Sequence, residues 1–590
     1  MTEAVGLLRA DVRATSLGRS ALRSAWPWLA LVSAAVIPYL NALPASFVFD
    51  DWIQIRGNPA LQGEFDLFKI FAVPLFPGNL YRPLTIVTFA WDHSLFGWSG
   101  WWFHAVNVAW HVGVTVLVAC LGLRLFAHEP LLAWLGALFF AVHPVHTEAV
   151  TGLVGRAELL AAFFALAAIL AAARAEEVER PWERRGWMAL GLASFTAALL
   201  SKESAVTALL LVVLVRMALR GEWSWAGLSR EMRSLDWVGF VACALAVFAL
   251  RALAISSWGS TESVDPVDNI LASVPAGQRV ATALAIQWEA FSQFVFPLVL
   301  SADYSYPQIV PVTAWWHPAT VAGGVLLVVT VALALRKDAP SGVMLLFPWV
   351  AFAVTSNLLF PIGTVRGERL AYFPSVGWCW WLGAALLWAR RRLPVSFVAM
   401  LGLALLVGYG ARTYWRNRDW RDQATLFART AMDAPRSSKA HKNHAVALRD
   451  AGRLREALAA YERAWDLYPY EEGIAFGMGE VYDRLGRSAE AEQWYLEALK
   501  LEPLHAGAWN NLCRLRTLAG RWKEAEWACR HGLRVQAANP NLWKGLGLAW
   551  VGAGQVYRGR QALEIALRLE PKDQALRSYL HDLSSAEAKP

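Results

Sequence analysis

From the N-terminus, long apolar runs alternate with short polar breaks until about Arg412, where the pattern changes to regularly spaced small and aromatic residues on a charged background. The apolar runs lie near 26–43, 104–123, 131–146, 157–173, 186–200, 204–220 and 236–257, and again near 319–335, 342–360, 371–388 and 394–411. Each approaches the roughly 20 residues that a helix needs to cross about 30 Å of hydrocarbon. A further run, 280–300, is interrupted by Gln287, Glu289, Ser292 and Gln293 and reads as re-entrant or interfacial. With that run left out, the pattern predicts an all-α protein: a polytopic transmembrane bundle of about eleven spans, then an α-solenoid.

Glycine sets the register of the second half. Gly452, Gly486, Gly520 and Gly554 recur every 34 residues, the tetratricopeptide-repeat (TPR) period, at the turn between two helices. Around them Ala457, Tyr461, Ala464 and Pro469 recur as Ala491, Tyr495, Ala498 and Pro503, drifting to Ala525, Cys529 and Gly532, then Leu563, Ala566 and Pro571. Small residues let paired helices approach, aromatics fill the gap, and proline stops the second helix. The predicted boundaries are a membrane domain at 1–412, a connector and partial repeat at 413–437 carrying Trp420 and Phe427, four TPRs at 438–573 and a tail at 574–590.

Composition sharpens this division: 56% hydrophobic and 17% charged residues exclude an ordinary soluble protein. The net charge of +8 is carried in the bundle by short loops rather than a stripe, which disfavours nucleic-acid binding. Arg124, the stretch Arg174 to Arg185, Arg220 to Arg233, Arg336 with Lys337, and Arg390 to Arg392 fall on one side. Asp50, Asp51, Glu262, Asp265 and Asp268 fall on the other. The positive-inside rule then puts the N-terminus, with Arg9, Arg13, Arg19 and Arg23 before an uncleaved first span, in the cytoplasm and the repeats outside. Trp98, Trp101, Trp102, Trp315 and Trp316 suit the headgroup level near span ends. Of five cysteines, none is paired at metal-ligand spacing, and Cys513 and Cys529 are expected as reduced core residues.

The outer loops collect the candidate chemistry. Asp50 and Asp51 follow the first span; one can act as a general base or hold a metal, or both are a solvated loop end. His143, His146 and Glu148 surround a break at Pro144 and can bind a substrate, hold a metal or form a structural knot. Arg156 and Glu158 open the fourth span, Lys202 and Glu203 form the turn after the fifth, and Arg366, Glu368 and Arg369 precede the span at 371–388. Together Arg156, Lys202, Arg366 and Arg369 put cations beside carboxylates, as a membrane-anchored phosphate and an acid–base reaction require.

An ordered series of motifs resembles the transmembrane and tetratricopeptide-repeat O-mannosyltransferases and their bacterial relatives, within the GT-C glycosyltransferases. Its carriers are Phe49-Asp50-Asp51-Trp52 with Asn58-Pro59, Tyr81-Arg82-Pro83-Leu84-Thr85, and His143 through Val150. Gly155 through Leu160, Leu200 through Glu203, and Gly367 through Ser375 complete the series. The resemblance implies a polyprenyl-phosphate-linked sugar donor, mannose in the family, transferred with inversion to a protein hydroxyl outside the cytoplasm. It implies Asp50 or Asp51 as base, Arg156, Lys202, Arg366 and Arg369 on the donor phosphate, and TPRs that hold the acceptor. Tyr81, Arg82, His143, His146, Glu148, Glu158, Glu203 and Glu368 are expected as a supporting polar cluster. No cofactor is certain, the lipid-phosphate sugar donor being the co-substrate, and a divalent metal is possible but not indicated. The richness in alanine, arginine, leucine and tryptophan and the tail Ala586-Glu587-Ala588-Lys589-Pro590, which is no retention signal, point to a bacterial inner membrane with periplasmic TPRs. In a eukaryote the TPRs would be lumenal in the endoplasmic reticulum. The competing readings are a non-catalytic TPR scaffold for envelope assembly, and a transporter or flippase of a lipid-linked sugar.

Overall fold

A computed structural model describes residues 25–63, 65–72, 80–256 and 264–587. Arg9, Arg13, Arg19, Arg23, Glu262 and the last three residues lie outside the described residues. The chain divides into two compact units, Met1–Ala434 and Pro435–Pro590.

In the first unit each predicted span contains a helix, but the lengths differ from expectation, the run 342–360 being helical only to Phe352. Among the described residues six helices are long and apolar enough to cross a membrane: Ala25–Ala42, Gly100–Leu125, Leu153–Glu177, Leu235–Ile255, Pro318–Arg336 and Val395–Trp420. A seventh arises if Pro130–Val142 and Pro144–Val150, bent by 50° at the proline, count as one. Ala208–Arg220, Ala339–Phe352 and Ser375–Ala389 have 13, 14 and 15 residues. At 1.5 Å per residue they span only about 20–23 Å. Pro181–Ser201 is long enough but begins with Glu183, Arg184 and Arg185. Against about eleven expected spans, six or seven helices among the described residues are thus long and apolar enough by length and composition, and the others are shorter or begin with charged residues.

The two ends of the bundle are defined by three neighbouring helices. Arg156–Glu177, Pro181–Ser201 and Ala208–Arg220 carry Arg156, Lys202 and the Glu203–Thr207 turn at one end. At the other end Arg216 bonds Glu176 and Asp236, and Arg220 bonds Glu176 and Glu231. The basic loop after Arg336 lies at this second end, since Trp223 Nε1 donates to Ala334 O at 2.9 Å. Helix Ala276–Val295, the polar-interrupted run, is held at its start by Arg279, which donates to Leu359 O at 3.3 Å, and at its end by Tyr409 of helix Val395–Asn417, which donates to Val295 O at 2.8 Å.

The core of this unit interleaves glycine with tryptophan. A Cβ on Gly136 would lie 2.1 Å from Trp380, so the helices Pro130–Val142 and Ser375–Ala389 meet only because that position is bare. The connector expected at 413–437 lies largely within this unit. Val395–Asn417 runs past Arg412, and Gln423–Asp433 packs back on the bundle, with Phe427 edge-on to Phe49 at 5.9 Å.

The second unit pairs Ser438–Asp450 with Leu454–Leu467, Glu472–Arg484 with Ser488–Leu501, Ala506–Leu518 with Trp522–Val535, and Pro540–Gly552 with Val556–Leu569. The recurrent glycines adopt φ of +74°, +74°, +69° and +80°, the left-handed turn that ends each first helix. Tyr461 is buried against Gly477 of the next repeat, and Tyr495 against Gly479 of the helix it pairs with in its own repeat. One expectation is overturned: Cys513 and Cys529 form a disulfide, their Cα atoms 4.9 Å apart on the facing helices of one repeat. The repeat pairing brings the two inward positions within bridging distance.

Candidate functional site

The loop after the first helix is set by Phe49, a non-glycine residue at φ +52° whose ring is held by Phe427. The turn points successive carboxylates in opposite directions. Asp51 faces inward, 1% exposed, and its two oxygens accept from the backbone N–H of Val48 at 3.0 Å and Val154 at 3.1 Å. Burial pushes its carboxyl up to about 7, against the pull of those N–H groups. Asp50 faces outward, its side chain 27% exposed and 4.0 Å from Arg369. Asp51, expected as an alternative base, is thus a loop brace, and Asp50 is the carboxylate a substrate can reach.

Arg369 joins Asp50 to the Pro144 break. Glu148 accepts from both the backbone N–H and the guanidinium of Arg369 at 2.9 Å. Arg369 itself stays 29% exposed. Beyond it, Lys202 pairs with Glu158, and Arg82 grips Glu203 through two hydrogen bonds of 3.1 and 2.8 Å. Burial would raise the Glu203 carboxyl, but the Arg82 fork and Lys202 outweigh it and hold the group down at about 2. On the other side Glu368 accepts from Ser301 N and Tyr304 Oη and faces Arg416 at 3.9 Å. Burial, opposed by Arg416 and assisted by Glu148, pushes the Glu368 carboxyl up to about 7. Arg366 stacks on the Tyr304 ring at 4.4 Å and bonds Glu289 and Gln293.

Several predicted ligands prove to be braces. Arg156 is fully buried, bonding Asp92, Asn107 Oδ1 at 2.7 Å and Phe103 O at 2.9 Å over the Phe89 ring. It presents no face to a donor phosphate and instead ties three segments together. His143 and His146 form the structural knot: His143 bonds Phe294 O and Val145 N, and His146 bonds Phe140 O and Ser375 Oγ. With every ring nitrogen engaged, neither can ligate a metal or substrate in this arrangement. Among the described residues no group of three or more His, Cys, Asp or Glu side chains is gathered as a metal site. Tyr81 is buried and donates to Phe71 O at 3.0 Å.

The sequence reading missed Asp92, Asn107, Tyr304 and Arg416. Arg416 is buried between Glu368, Asp419 and Asp433. Its one available signal was a cation at the very end of an apolar run.

The geometry defines a class: an integral membrane protein whose helical bundle carries a charged end face around one accessible loop carboxylate, followed by a TPR solenoid. A tetratricopeptide-repeat family model matches residues 448–514. The chain is similar to Protein O-mannosyl-transferase Tmtc3 of Drosophila melanogaster, 27% identical over 82% of this chain and 59% of that protein. Human TMTC3 is 26% identical over 92% of this chain and 64% of its own length, and human TMTC4 28% identical over 75% and 67%. The chain spans about six-tenths of the length of most of these relatives. The sequence similarity thus runs to the transmembrane and tetratricopeptide-repeat O-mannosyl-transferases, the family that the ordered motifs resemble.

Proposed function

We propose that the protein is an inverting glycosyltransferase that moves mannose from a polyprenyl phosphate to a serine or threonine hydroxyl of a protein acceptor. The observation that carries the reading is Asp50: a partly exposed carboxylate held 4.0 Å from the partly exposed Arg369, on the end face that also carries the buried Lys202–Glu158 pair. In the reaction the acceptor oxygen attacks the anomeric carbon and passes its proton to Asp50. The bond from that carbon to the phosphate oxygen breaks, and the charge left on the lipid phosphate falls to Arg369, Lys202 and Arg366. Arg156 and Asp51 act indirectly, fixing the loops that present these groups.

The same face is the extracytoplasmic one in this reading. Basic loops gather at the opposite end, and the Cys513–Cys529 disulfide suits an oxidising compartment such as the periplasm of a bacterial inner-membrane protein. The TPRs hold the acceptor polypeptide. The test is transfer from polyprenyl-phosphate mannose to a peptide acceptor by the purified full chain. Asp50→Asn should lower the rate by roughly 10²–10⁴-fold without lowering the melting temperature. Full activity of that variant refutes the mechanism.

A further inference from the structure

Asp50 sits in a turn that needs support. Phe49 adopts φ +52°, a conformation that a bulky side chain avoids, and this turn aims Asp50 outward while Asp51 faces in. Such backbone persists only where surrounding contacts over-determine it. Part of the support is local: Val48 N–H donates to the Asp51 carboxylate at 3.0 Å, and Asp51 N–H donates to Val48 O at 3.0 Å. These bonds close the turn, but they hold Asp51 and not Asp50.

The remaining support comes from the segment Arg416–Asp433, most of it expected from the sequence as a connector and partial repeat. Its helix Gln423–Asp433 sets Phe427 against Phe49, with ring centroids 5.9 Å apart and planes at 87°. Just before the turn, Arg421 O accepts from the N–H of Ser46 at 3.0 Å and from its hydroxyl at 3.2 Å. The segment is itself fixed. Asp422 caps the helix by accepting from Thr425 N–H at 2.8 Å, and Asn417 Oδ1 accepts from the Thr151 hydroxyl at 2.8 Å. Trp420 packs over Gly152, where a Cβ would lie 3.0 Å from its ring. Buried Arg416 pairs with Asp419, Asp433 and Glu368, the neighbour of Arg369. One segment thus touches the three loops that carry Asp50, Glu148 and Arg369, and it presents Phe427 to Phe49 from a firm base.

We propose that Phe427 is a positioning residue for Asp50: through Phe49, its ring holds the carboxylate where the acceptor hydroxyl and Arg369 meet it. This rests on the reading of Asp50 as the base and adds how that base is held. Placement at this level matters, because a displacement of about 1 Å at a reacting group costs on the order of 10²-fold in rate. Phe427→Leu removes the ring edge and gives Phe49, and with it Asp50, freedom to move. No group proposed to touch the donor changes.

The test is a double-mutant cycle on the full chain, read as transfer from polyprenyl-phosphate mannose to a peptide acceptor. Phe427→Leu should lower kcat by about 10–100-fold in the wild-type background, with KM for the donor unchanged. In the Asp50→Asn background it should lower kcat by less than about threefold, since no base is left to misplace. A residue that matters only for folding lowers the active fraction, and so the rate, by the same factor in both backgrounds. Equal factors, or a wild-type rate in Phe427→Leu, overturn this inference and leave the glycosyltransferase reading standing. If Phe427→Leu is not recovered folded, Phe49→Leu carries the same cycle from the half-buried partner of the ring pair, and the same non-additivity is expected. No transfer by wild type, or full activity of Asp50→Asn, removes the underlying reading and this inference together.

Discussion

Asp51 offers a test of the site's architecture that does not depend on knowing the substrate. Its carboxyl accepts from Val48 and Val154 N–H while 1% exposed, and burial raises it from 3.8 to about 7. The folded protein therefore binds this proton more tightly than the unfolded chain. Stability falls as pH rises from about 4 to about 7, by a total of ~4 kcal/mol for three units, and is level on either side. Between pH 5 and 8 the part that remains is about 3 kcal/mol. Asp51→Asn removes the titration but turns an amide NH₂ toward one of the two N–H donors, a constant cost of about 1–3 kcal/mol. Wild type should thus lose about 3 kcal/mol of stability relative to the variant between pH 5 and pH 8, whatever the constant offset between them. Melting of both proteins in one detergent across that range measures it. A gap independent of pH would refute the buried, proton-holding role and return Asp51 to the list of candidate bases.

Other expectations follow from the same contacts. Arg156→Lys removes the fork that bonds Asp92, Asn107 and Phe103 O; it should cost about 1–3 kcal/mol of stability and leave the Michaelis constant for donor unchanged, which steady-state kinetics and melting curves separate. Cys529→Ser, or reductant on wild type, should destabilise the solenoid by about 3 kcal/mol, the value for a short cross-linked loop, read as an earlier transition in limited proteolysis. Gly136→Leu drives a side chain into Trp380 and should lose more than about 1–3 kcal/mol, seen as failure to recover folded protein from membranes, while the exposed Gly186→Ala should be silent.

Periodicity and local chemistry were legible along the chain without its fold. Apolar runs located the helices of the bundle, and the 34-residue glycine spacing located each repeat turn, because left-handed φ is a property that glycine carries with it. The motifs also supply the charged groups of the end face, where Arg369 contacts Asp50 and Glu148, Lys202 pairs with Glu158, and Arg82 with Glu203. Their individual roles depended on partners far along the chain. Asp50 and Asp51 are neighbours of identical chemistry, yet one is open and the other sealed by a backbone N–H of Val154, a donor no residue type advertises. Arg156 looked like a phosphate ligand until Asp92, 64 residues away, occupied it. The cysteines looked inert until the repeat pairing set their Cα atoms 4.9 Å apart. The tertiary structure decided these roles because burial and hydrogen-bond satisfaction are properties of a place, filled by whichever residues the fold brings there.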